Sequence, residues 1–513
     1  MICRIKRMNR FWNPENPDHP CCHPLYQESW LYWDTLTLLI MPLHSALSAS
    51  YTDLYQITMG QVYFLSKRHH EKAVFDYFFR KLPFDGGYAI FAGLDDLLKI
   101  ITTLRFTDED LEFLTRSRFD AAFVDFLRDW RFRGTLYASS EGDVVFPTRP
   151  VLRVEGNILE TQLIETLLLN ILNFQTLVAT KASRVRLAAG NAVLMDFGLR
   201  RAQGIGGYHA TRASIVGGFN STSNVYAAID YEVPATGTMA HSFIQSYESE
   251  LAAFRSFAEG RPEDCVLLVD TYNTLESGVP NAITVAREME ARGQRLLAIR
   301  LDSGDLAYLA KRSRRMLDEA GLQYVKISAS NQLDEYVVKS LLDQEAPIDI
   351  FGVGTSLVTG KPDAALDGVY KLSFYRDKPR IKLSESLSKT TLPGAKQVYR
   401  AVDTRGDFAG ADVVALADER NIDMMIHPFE AGKSMSLKGF RLEPQLQKVM
   451  ENGEPTNESL SLTEIAEFSA GRLARLPAEY KRFHFPHLYK VGISKGLTKL
   501  REELRNDLKQ TIP

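Results

Sequence analysis

The middle of the chain contains an arginine-rich stretch that is suited to binding an anion. Residues 199–229 include Arg200, Arg201 and Arg212 but no acidic residue, together with several glycines and small hydroxyl side chains. A guanidinium group grips a carboxylate or a phosphate with two parallel hydrogen bonds, and glycines let backbone N–H groups approach an anion closely. The stretch therefore predicts an anion site, and the alternative is a surface loop with solvated arginines.

A histidine follows a glycine turn in the segment TGTMAHSF. This residue, His241, is flanked by the hydroxyl side chains of Thr238 and Ser242. An imidazole in such a setting is a candidate base, or a nucleophile toward phosphorus. A lone histidine also has common structural roles, so that alternative stays open at this point.

The segment RLDSGD places Arg300 two residues before Asp302 and ends at Asp305. It resembles half of a calcium loop, but it lacks the further oxygen ligands and the terminal glutamate of an EF-hand, which excludes that site. Asp302 and Asp305 are instead candidate ligands of Mg²⁺ or acceptors for ribose hydroxyls. An arginine in this pattern is not explained by helix capping, whereas Asp305 on its own is.

The segment GVGTS offers a phosphate the backbone N–H groups around Gly352 and Gly354 and the hydroxyls of Thr355 and Ser356. Loops that follow the late strands of a βα barrel commonly bind phosphate in this way. The segment is not a P-loop, because no lysine follows the glycines at the required spacing.

Apolar runs rich in β-branched residues alternate with helical stretches through the middle of the chain. The predicted strands are 192–197, 265–269, 296–299, 324–327 and 348–353, and the predicted helices are 281–292, 305–320 and 332–345. This alternation predicts buried parallel strands in βα units, as an open doubly wound sheet or as a barrel. Polar residues end each strand, and in a barrel these ends would converge, so we favour the barrel.

The flanking parts of the chain lack this regular alternation of strands and helices. Residues 46–160 and 366–513 mix helical and strand patterns, including a strand-like run at 143–154 and predicted helices at 443–452 and 462–474. We predict that they form one α+β domain beside an α/β barrel domain at 161–365. Residues 1–45 are interpreted as an upstream extension, with Met41 as the expected start.

Composition excludes several classes of protein. The chain has 513 residues, 61 Lys and Arg against 64 Asp and Glu, a net charge of −3 and 45% hydrophobic residues, which is ordinary for a globular protein. No global field would attract nucleic acid, and no stretch approaches a membrane span. Beyond the first 33 residues the only cysteine is Cys265, which indicates a reducing compartment, so we expect a cytoplasmic protein.

Taken together, these segments resemble the nicotinate phosphoribosyltransferases. The resemblance runs from about residue 51 to at least residue 400. The matching stretches are YTDLYQ at 51–56, FFRKLPF at 78–84 with the glycines at 86 and 87, FGLRRAQG at 197–204, GTMAHS at 237–242, RLDSGD at 300–305, GVGTS at 352–356 and TLPG at 391–394.

The resemblance implies a reaction, a fold and an assembly. The reaction joins nicotinate to phosphoribosyl pyrophosphate, giving nicotinate mononucleotide and pyrophosphate, with Mg²⁺ as cofactor and coupled ATP hydrolysis. The fold is an irregular TIM-like βα barrel with a second α+β domain made from both chain ends, as in type II phosphoribosyltransferases. The assembly is a homodimer in which the partner's N-terminal domain completes the active site.

The resemblance also implies roles for individual residues. Tyr55 would stack on the pyridine ring, Thr238 and Arg300 would contact nicotinate, and His241 would be phosphorylated by ATP. Thr355, with Gly352, Gly354 and Ser356, would bind the phosphoribosyl phosphate. We add Arg200 as an anion ligand, Asp302 as a partner of ribose or Mg²⁺, and Asp305 as a second candidate Mg²⁺ ligand.

Two rival functions stay open. The first is a nicotinamide phosphoribosyltransferase, which would be expected to place an acidic acceptor opposite the amide. The acid-free stretch 199–229 favours a carboxylate substrate instead. The second is a non-catalytic nucleotide-binding barrel, which would not need a phosphorylatable histidine.

Overall fold

The structure, a computed structural model, describes residues 47–384, 390–430 and 432–511. The predicted extension at residues 1–45 therefore lies outside the described residues. Within the described ranges no helix is long and apolar enough to cross a membrane.

The first part of the described chain is a mixture of short strands and helices. Its elements in chain order are α1 (Leu54–Leu65), β1 (Lys72–Phe79), β2 (Ala89–Ile90), α2 (Leu94–Thr103), α3 (Asp108–Arg116), α4 (Ala121–Arg128), β3 (Thr135–Ala138), β4 (Val144–Val145), β5 (Leu152–Asn157), α5 (Ile158–Leu163) and α6 (Glu165–Ala189).

The middle of the chain alternates strands and helices. Its elements are β6 (Val193–Asp196), α7 (Gly206–Val216), β7 (Ser221–Thr222), α8 (Val225–Asp230), α9 (His241–Gln245), α10 (Glu250–Gly260), β8 (Val266–Leu268), α11 (Val279–Glu290), β9 (Ala298–Leu301), α12 (Leu306–Glu319), β10 (Lys326–Ser330), α13 (Glu335–Asp343), β11 (Ile350–Val353) and α14 (Thr355–Val358).

The last part is mostly strands. Its elements are β12 (Gly368–Tyr375), β13 (Lys378–Pro379), β14 (Lys396–Val402), β15 (Phe408–Leu416), β16 (Met424–Ile426), β17 (Ser434–Ser436), β18 (Arg441–Pro444), β19 (Gln447–Glu451), β20 (Glu454–Pro455), α15 (Leu462–Ala474), β21 (Lys490–Ile493) and α16 (Lys495–Thr511).

The middle strands form a six-stranded sheet in the order β7-β6-β11-β10-β9-β8, and every pair in it is parallel. An isolated parallel bridge between Thr222 and Ala235 continues the sheet beyond β7. The prediction of buried parallel strands with intervening helices is confirmed, and the fold is mixed α/β. Helix α13 begins later than predicted, because Asp334 caps it and Asn331 and Gln332 adopt positive φ.

A seven-stranded sheet joins the two ends of the described chain. Its order is β13-β12-β1-β5-β3-β19-β20, so three strands from before the parallel sheet lie in the middle and strands from after it lie on both sides. A second sheet, β17-β16-β21-β15-β14-β18, contains only strands from the last part. This pairing of early with late strands agrees with a domain made from both ends, and its boundaries stay a prediction.

One local prediction in these flanking parts is wrong, and another holds only in part. The helix predicted at 443–452 is the end of β18 followed by β19, because β19 pairs with β3 and buries Met450 completely in the sheet. The strand-like run at 143–154 contains β4 and the start of β5, but the two are separated at Thr148, which adopts φ of 66° between Pro147 and Pro150. The helix predicted at 462–474 is confirmed, with a capping box at its start.

Candidate active site

Arg300 lies near the carboxyl end of β9, and polar groups from four other positions hold its guanidinium. Nη1 donates to Thr238 Oγ1 at 2.9 Å and to the Met239 carbonyl at 3.3 Å. Nε donates to Ser330 Oγ at 2.9 Å, and Nη2 lies 3.3 Å from Asp302 Oδ2. The residue is only 8% exposed. A buried charge fixed by this many polar contacts has a single orientation, so its remaining surface is a preorganised anion ligand.

The strand register explains why these side chains meet. Arg300 pairs with Ser328, and alternation along the strands puts Asp302 and Ser330 on the same face as Arg300. Ser330 Oγ accepts from Arg300 and donates to Asp302 Oδ1, so one hydroxyl links the cation to the carboxylate. Alternation along one segment brings Arg300 and Asp302 together, and the pairing of β9 with β10 adds Ser330 to them.

His241 is the first residue of the five-residue helix α9 and lies next to Asp302 of this cluster. Its Nδ1 is 3.1 Å from Thr271 Oγ1, and its Nε2 is 3.9 Å from Asp302 Oδ2. The side chain is 41% exposed, so an incoming phosphate can reach it. The structure therefore joins four of the predicted site residues, and Thr271 is a further neighbour that lies at the end of β8.

A second carboxylate lies beside Asp302, but it does not belong to Asp305. The Asp302 backbone N–H donates to Asp270 Oδ2 at 2.9 Å, and Asp270 Oδ1 is buried with no hydrogen-bond partner in the described chain. Asp305 instead caps α12 by accepting from the Tyr308 backbone N–H at 3.0 Å. The capping interpretation holds for Asp305, and Asp270 is the carboxylate better placed for a cation.

The described residues contain no group of three or more histidine, cysteine or acidic side chains that could hold a metal ion by itself. Mg²⁺ is usually bound by one or two carboxylates together with substrate phosphates and waters. Asp302 and Asp270, which has an orphaned buried oxygen, fit that donor set.

The glycines of the GVGTS segment allow a close approach to an aromatic ring. A Cβ on Gly352 would lie 2.4 Å from the ring of Phe197, and one on Gly354 would lie 3.2 Å from the Phe197 carbonyl oxygen. Thr355 opens the four-residue helix α14 and is exposed, whereas Ser356 is buried. Both glycines thus have a packing role, and phosphate binding by this segment stays a prediction.

Phe197 is a site residue that sequence reasoning did not single out. It follows β6 directly, is 8% exposed, and its ring centroid lies 5.5 Å from the Arg300 guanidinium carbon. The ring therefore connects the glycine segment to the buried cation. An aromatic residue immediately after an apolar strand, at the edge where the other site residues lie, was the available signal.

Two predicted residues lie apart from this cluster. Arg200 is exposed on a short 3₁₀ turn, Leu199–Arg201. Tyr55 on α1 is 51% exposed and lines a cavity of about 400 Å³ with Phe174. No hydrogen bond or ion pair between described residues joins either side chain to Arg300.

Asp196 anchors the turn that carries Arg200. Its buried carboxylate accepts from the Gly198 backbone N–H at 2.8 Å and from the Thr211 and Thr222 hydroxyls at 2.9 Å each. Burial raises the pKa of Asp196 above its ordinary value, although these three donors oppose the shift. The carboxylate thereby ties the end of β6 to α7 and β7.

The fold is similar to those of solved enzymes whose names refer to nicotinate or its nucleotide. A solved nicotinate-nucleotide pyrophosphorylase from Pyrococcus furiosus matches with a TM-score of 0.66 at 24% identity, covering 83% of this chain and 95% of that one. Crystalline human nicotinic acid phosphoribosyltransferase matches with a TM-score of 0.80 at 32% identity, covering 88% and 99%.

Family models and curated relatives identify the family. Residues 51–173 match the N-terminal domain of nicotinate phosphoribosyltransferase, residues 192–401 the family itself and residues 395–501 its C-terminal domain. Nicotinate phosphoribosyltransferase of Bacillus subtilis is 41% identical over 474 residues, 90% of this chain and 96% of the relative, and that of Dictyostelium discoideum is 38% identical over 519 residues, 89% and 88%. The chain belongs to the nicotinate phosphoribosyltransferase family.

Proposed function

We propose that this enzyme converts nicotinate and phosphoribosyl pyrophosphate to nicotinate mononucleotide and pyrophosphate, and that ATP hydrolysis drives the reaction through a phosphorylated His241. The observation that carries the proposal is the buried Arg300 guanidinium, held by Thr238 and Ser330 beside a carboxylate and below an accessible histidine.

The site is suited to nicotinate because it offers a fixed cation and a hydroxyl donor to a flat acid. The carboxylate would contact the guanidinium of Arg300 and the hydroxyl of Thr238, and the pyridine ring would lie against Phe197. Nicotinamide as the substrate is the alternative, but its neutral amide would stabilise the buried Arg300 cation less than a carboxylate does. A steady-state assay with each base separates the two.

The chemical step needs charge placement more than a strong base. The pyridine nitrogen is already a nucleophile; its bond to the anomeric carbon forms as the bond from that carbon to the pyrophosphate oxygen breaks. The sugar passes through an oxocarbenium-like state, which the carboxylates of Asp302 and Asp270 would stabilise electrostatically. Mg²⁺ held by the same two carboxylates would supply charge neutralisation for the departing pyrophosphate.

His241 phosphorylation would act through repulsion. The imidazole takes the γ-phosphoryl group of ATP, and the bond from phosphorus to the ADP oxygen breaks. By analogy with other phosphorylated side chains this adds roughly two negative charges, close to Asp302, whose carboxylate is 3.9 Å from the histidine. The test is incubation with γ-labelled ATP. We expect an acid-labile label on the native chain and none on His241→Ala; an unlabelled native chain, or a labelled variant, would refute the proposal and favour a non-catalytic binding protein.

We further propose that the parallel sheet curves into a barrel. One residue from each of five strands, together with Ala235, lines a single cavity of about 530 Å³. Four of these residues are the first of their strands, and the fifth is the third residue of β6, so we call this space the amino-end cavity; they are Val266, Ala298, Lys326, Ile350 and Met195. Alternation puts these residues on the face that carries Arg300, which supports a sheet that is concave on that side.

The proposed assembly is a homodimer in which Tyr55 of one copy stacks on the nicotinate bound by the other, with Arg200 as a further anion ligand. Support comes from α1, where Tyr55 and three apolar neighbours, Leu54, Val62 and Leu65, are each more than half exposed. Mixing inactive Tyr55→Ala and Arg300→Ala dimers is expected to restore about a quarter of native activity, because half of the dimers are mixed and carry one intact site. No restoration would exclude shared sites.

The proposed phosphate site and cellular location rest on membership of the family. Thr355 and Ser356, at the end of β11, would bind the phosphoribosyl phosphate on the same edge of the sheet as Arg300. A cytoplasmic location agrees with Cys265, a buried free thiol in the described chain.

A further inference from the structure

The amino-end cavity is a second concave site, separate from the proposed active site. Four of its five strand residues are the first of their strands, whereas Arg300 and Asp302 lie at the carboxyl end of β9. Ala298 lines the cavity, and Arg300 is two residues further along the same strand face. Its volume of about 530 Å³ falls in the range typical of small-molecule sites.

The cavity carries an excess of positive charge. Arg261, Arg295 and Lys326 line it together with a single acid, Asp264, which forms an ion pair with Arg261 at 2.6 Å. Within the described ranges neither Arg295 nor Lys326 has an ion-pair partner. Two cations at one concave surface repel each other, and a bound dianion would attract both and offset that repulsion.

The ring of Tyr324 also lines this cavity. Its hydroxyl is buried and makes no hydrogen bond of normal geometry to any described residue, and burial together with the nearby Glu290 carboxylate raises the pKa of Tyr324. Arg295 lies 4.9 Å from the centroid of the ring, so the aromatic face helps to hold the guanidinium at the cavity.

The rest of the lining is apolar. Strand residues such as Met195, Val266 and Ile350 form the walls, and Thr236 and Gly237 lie at one side. Such a surface suits an organic body more than a hydrated inorganic ion, because it offers contacts to carbon and few hydrogen bonds.

We propose that the amino-end cavity binds a small organic phosphate, with Lys326 and Arg295 at the phosphate and the apolar walls around the organic part. Thr236 and Gly237 connect the cavity to the active site, because they directly precede Thr238, the residue that contacts Arg300. The ligand would therefore sit beneath the nicotinate-binding cation without touching it.

The test reads Lys326 itself, so that a nucleotide in the active site does not interfere. The native chain is treated briefly with acetic anhydride, with and without AMP, and acetylation is measured peptide by peptide by mass spectrometry. We expect AMP to slow acetylation of Lys326 at least about fivefold and to leave Lys339, an exposed lysine outside the cavity, unchanged. Equal rates at Lys326 with and without millimolar AMP would overturn the proposal, as would equal protection by inorganic phosphate, since the organic part would then contribute nothing.

A pair of variants tests the geometry. Arg295→Ala is expected to raise the AMP concentration for half-protection of Lys326 at least about tenfold. Arg292→Ala is the matched control, because Arg292 lies on the preceding turn and faces Glu259 at 3.9 Å instead of the cavity. Equal effects of the two substitutions would refute the assignment. Neither measurement uses turnover, so the result does not depend on the proposed activity.

Discussion

Replacing Ser330 with alanine tests whether one hydroxyl positions both charged groups of the active site. The hydroxyl accepts from Arg300 Nε and donates to Asp302 Oδ1, and Ser330 is only 3% exposed. Hydrogen bonds to charged groups contribute about 1.5–3 kcal/mol each, but the direct Arg300–Asp302 contact and the Thr238 bond survive the change. We expect a net loss of about 2–3 kcal/mol of transition-state stabilisation, or a kcat/KM for nicotinate lower by about 30- to 150-fold.

The assay is steady-state formation of nicotinate mononucleotide with phosphoribosyl pyrophosphate, Mg²⁺ and ATP. Ser330→Thr keeps the hydroxyl on a strand position that favours β-branched residues, so it should recover most of the activity. Ser313→Ala is the matched control, because Ser313 is equally buried, outside the site and without a hydrogen-bond partner in the described chain. A near-native kcat/KM for Ser330→Ala, or equal damage in the alanine and threonine variants, would refute the positioning role.

Three further predictions follow from the same contacts. Gly352→Ala should displace the Phe197 ring, so we expect a higher KM for nicotinate and a free energy of unfolding lower by about 1–3 kcal/mol. Gly260→Ala, whose Cβ would meet nothing within 4 Å, should change neither quantity. Equal kinetics of the two variants would refute the packing role. Glu335→Gln should lower the free energy of unfolding by about 3–5 kcal/mol in chemical denaturation, because it leaves two buried cations unpaired. Burial alone would raise the pKa of Glu335, but those cations lower it, so the native chain should lose this stability as pH falls below the ordinary value of 4.5, and the variant should lack that loss. Burial raises the pKa of Cys265 to about 12, so iodoacetamide at neutral pH should label this thiol only after unfolding, as peptide mass spectrometry would show.

Sequence reasoning could find the residues that strand alternation alone brings together. Arg300 and Asp302 are two residues apart at the end of an apolar strand, so any parallel sheet puts both on one face at the carboxyl edge. The positions of Ser330, Asp270 and Phe197 depend instead on the register between strands, which a single sequence does not specify. For that reason Asp305 was a plausible metal ligand until the structure placed its carboxylate at a helix cap.

Local patterns failed where distant pairing overrides them. The segment 443–452 has helical character, yet β19 is fixed by its pairing with β3, some three hundred residues earlier in the chain. Tyr55 and Arg200 are a different case, since no hydrogen bond or ion pair between described residues joins them to Arg300, and the role proposed for Tyr55 requires a second copy of the chain. The structure of a single chain therefore contains Arg300, the proposed nicotinate ligand, but only part of the proposed site.

The contrast between Arg300 and His241 indicates how ATP would influence nicotinate binding. Arg300 is buried and held from several sides, whereas His241 is 41% exposed on a short helix and touches the site through Thr271 and the Asp302 carboxylate. A phosphate on His241 would repel Asp302, and Asp302 shares Ser330 with Arg300. In the proposed mechanism, the charge added by ATP would therefore act on Arg300 through one carboxylate and one hydroxyl.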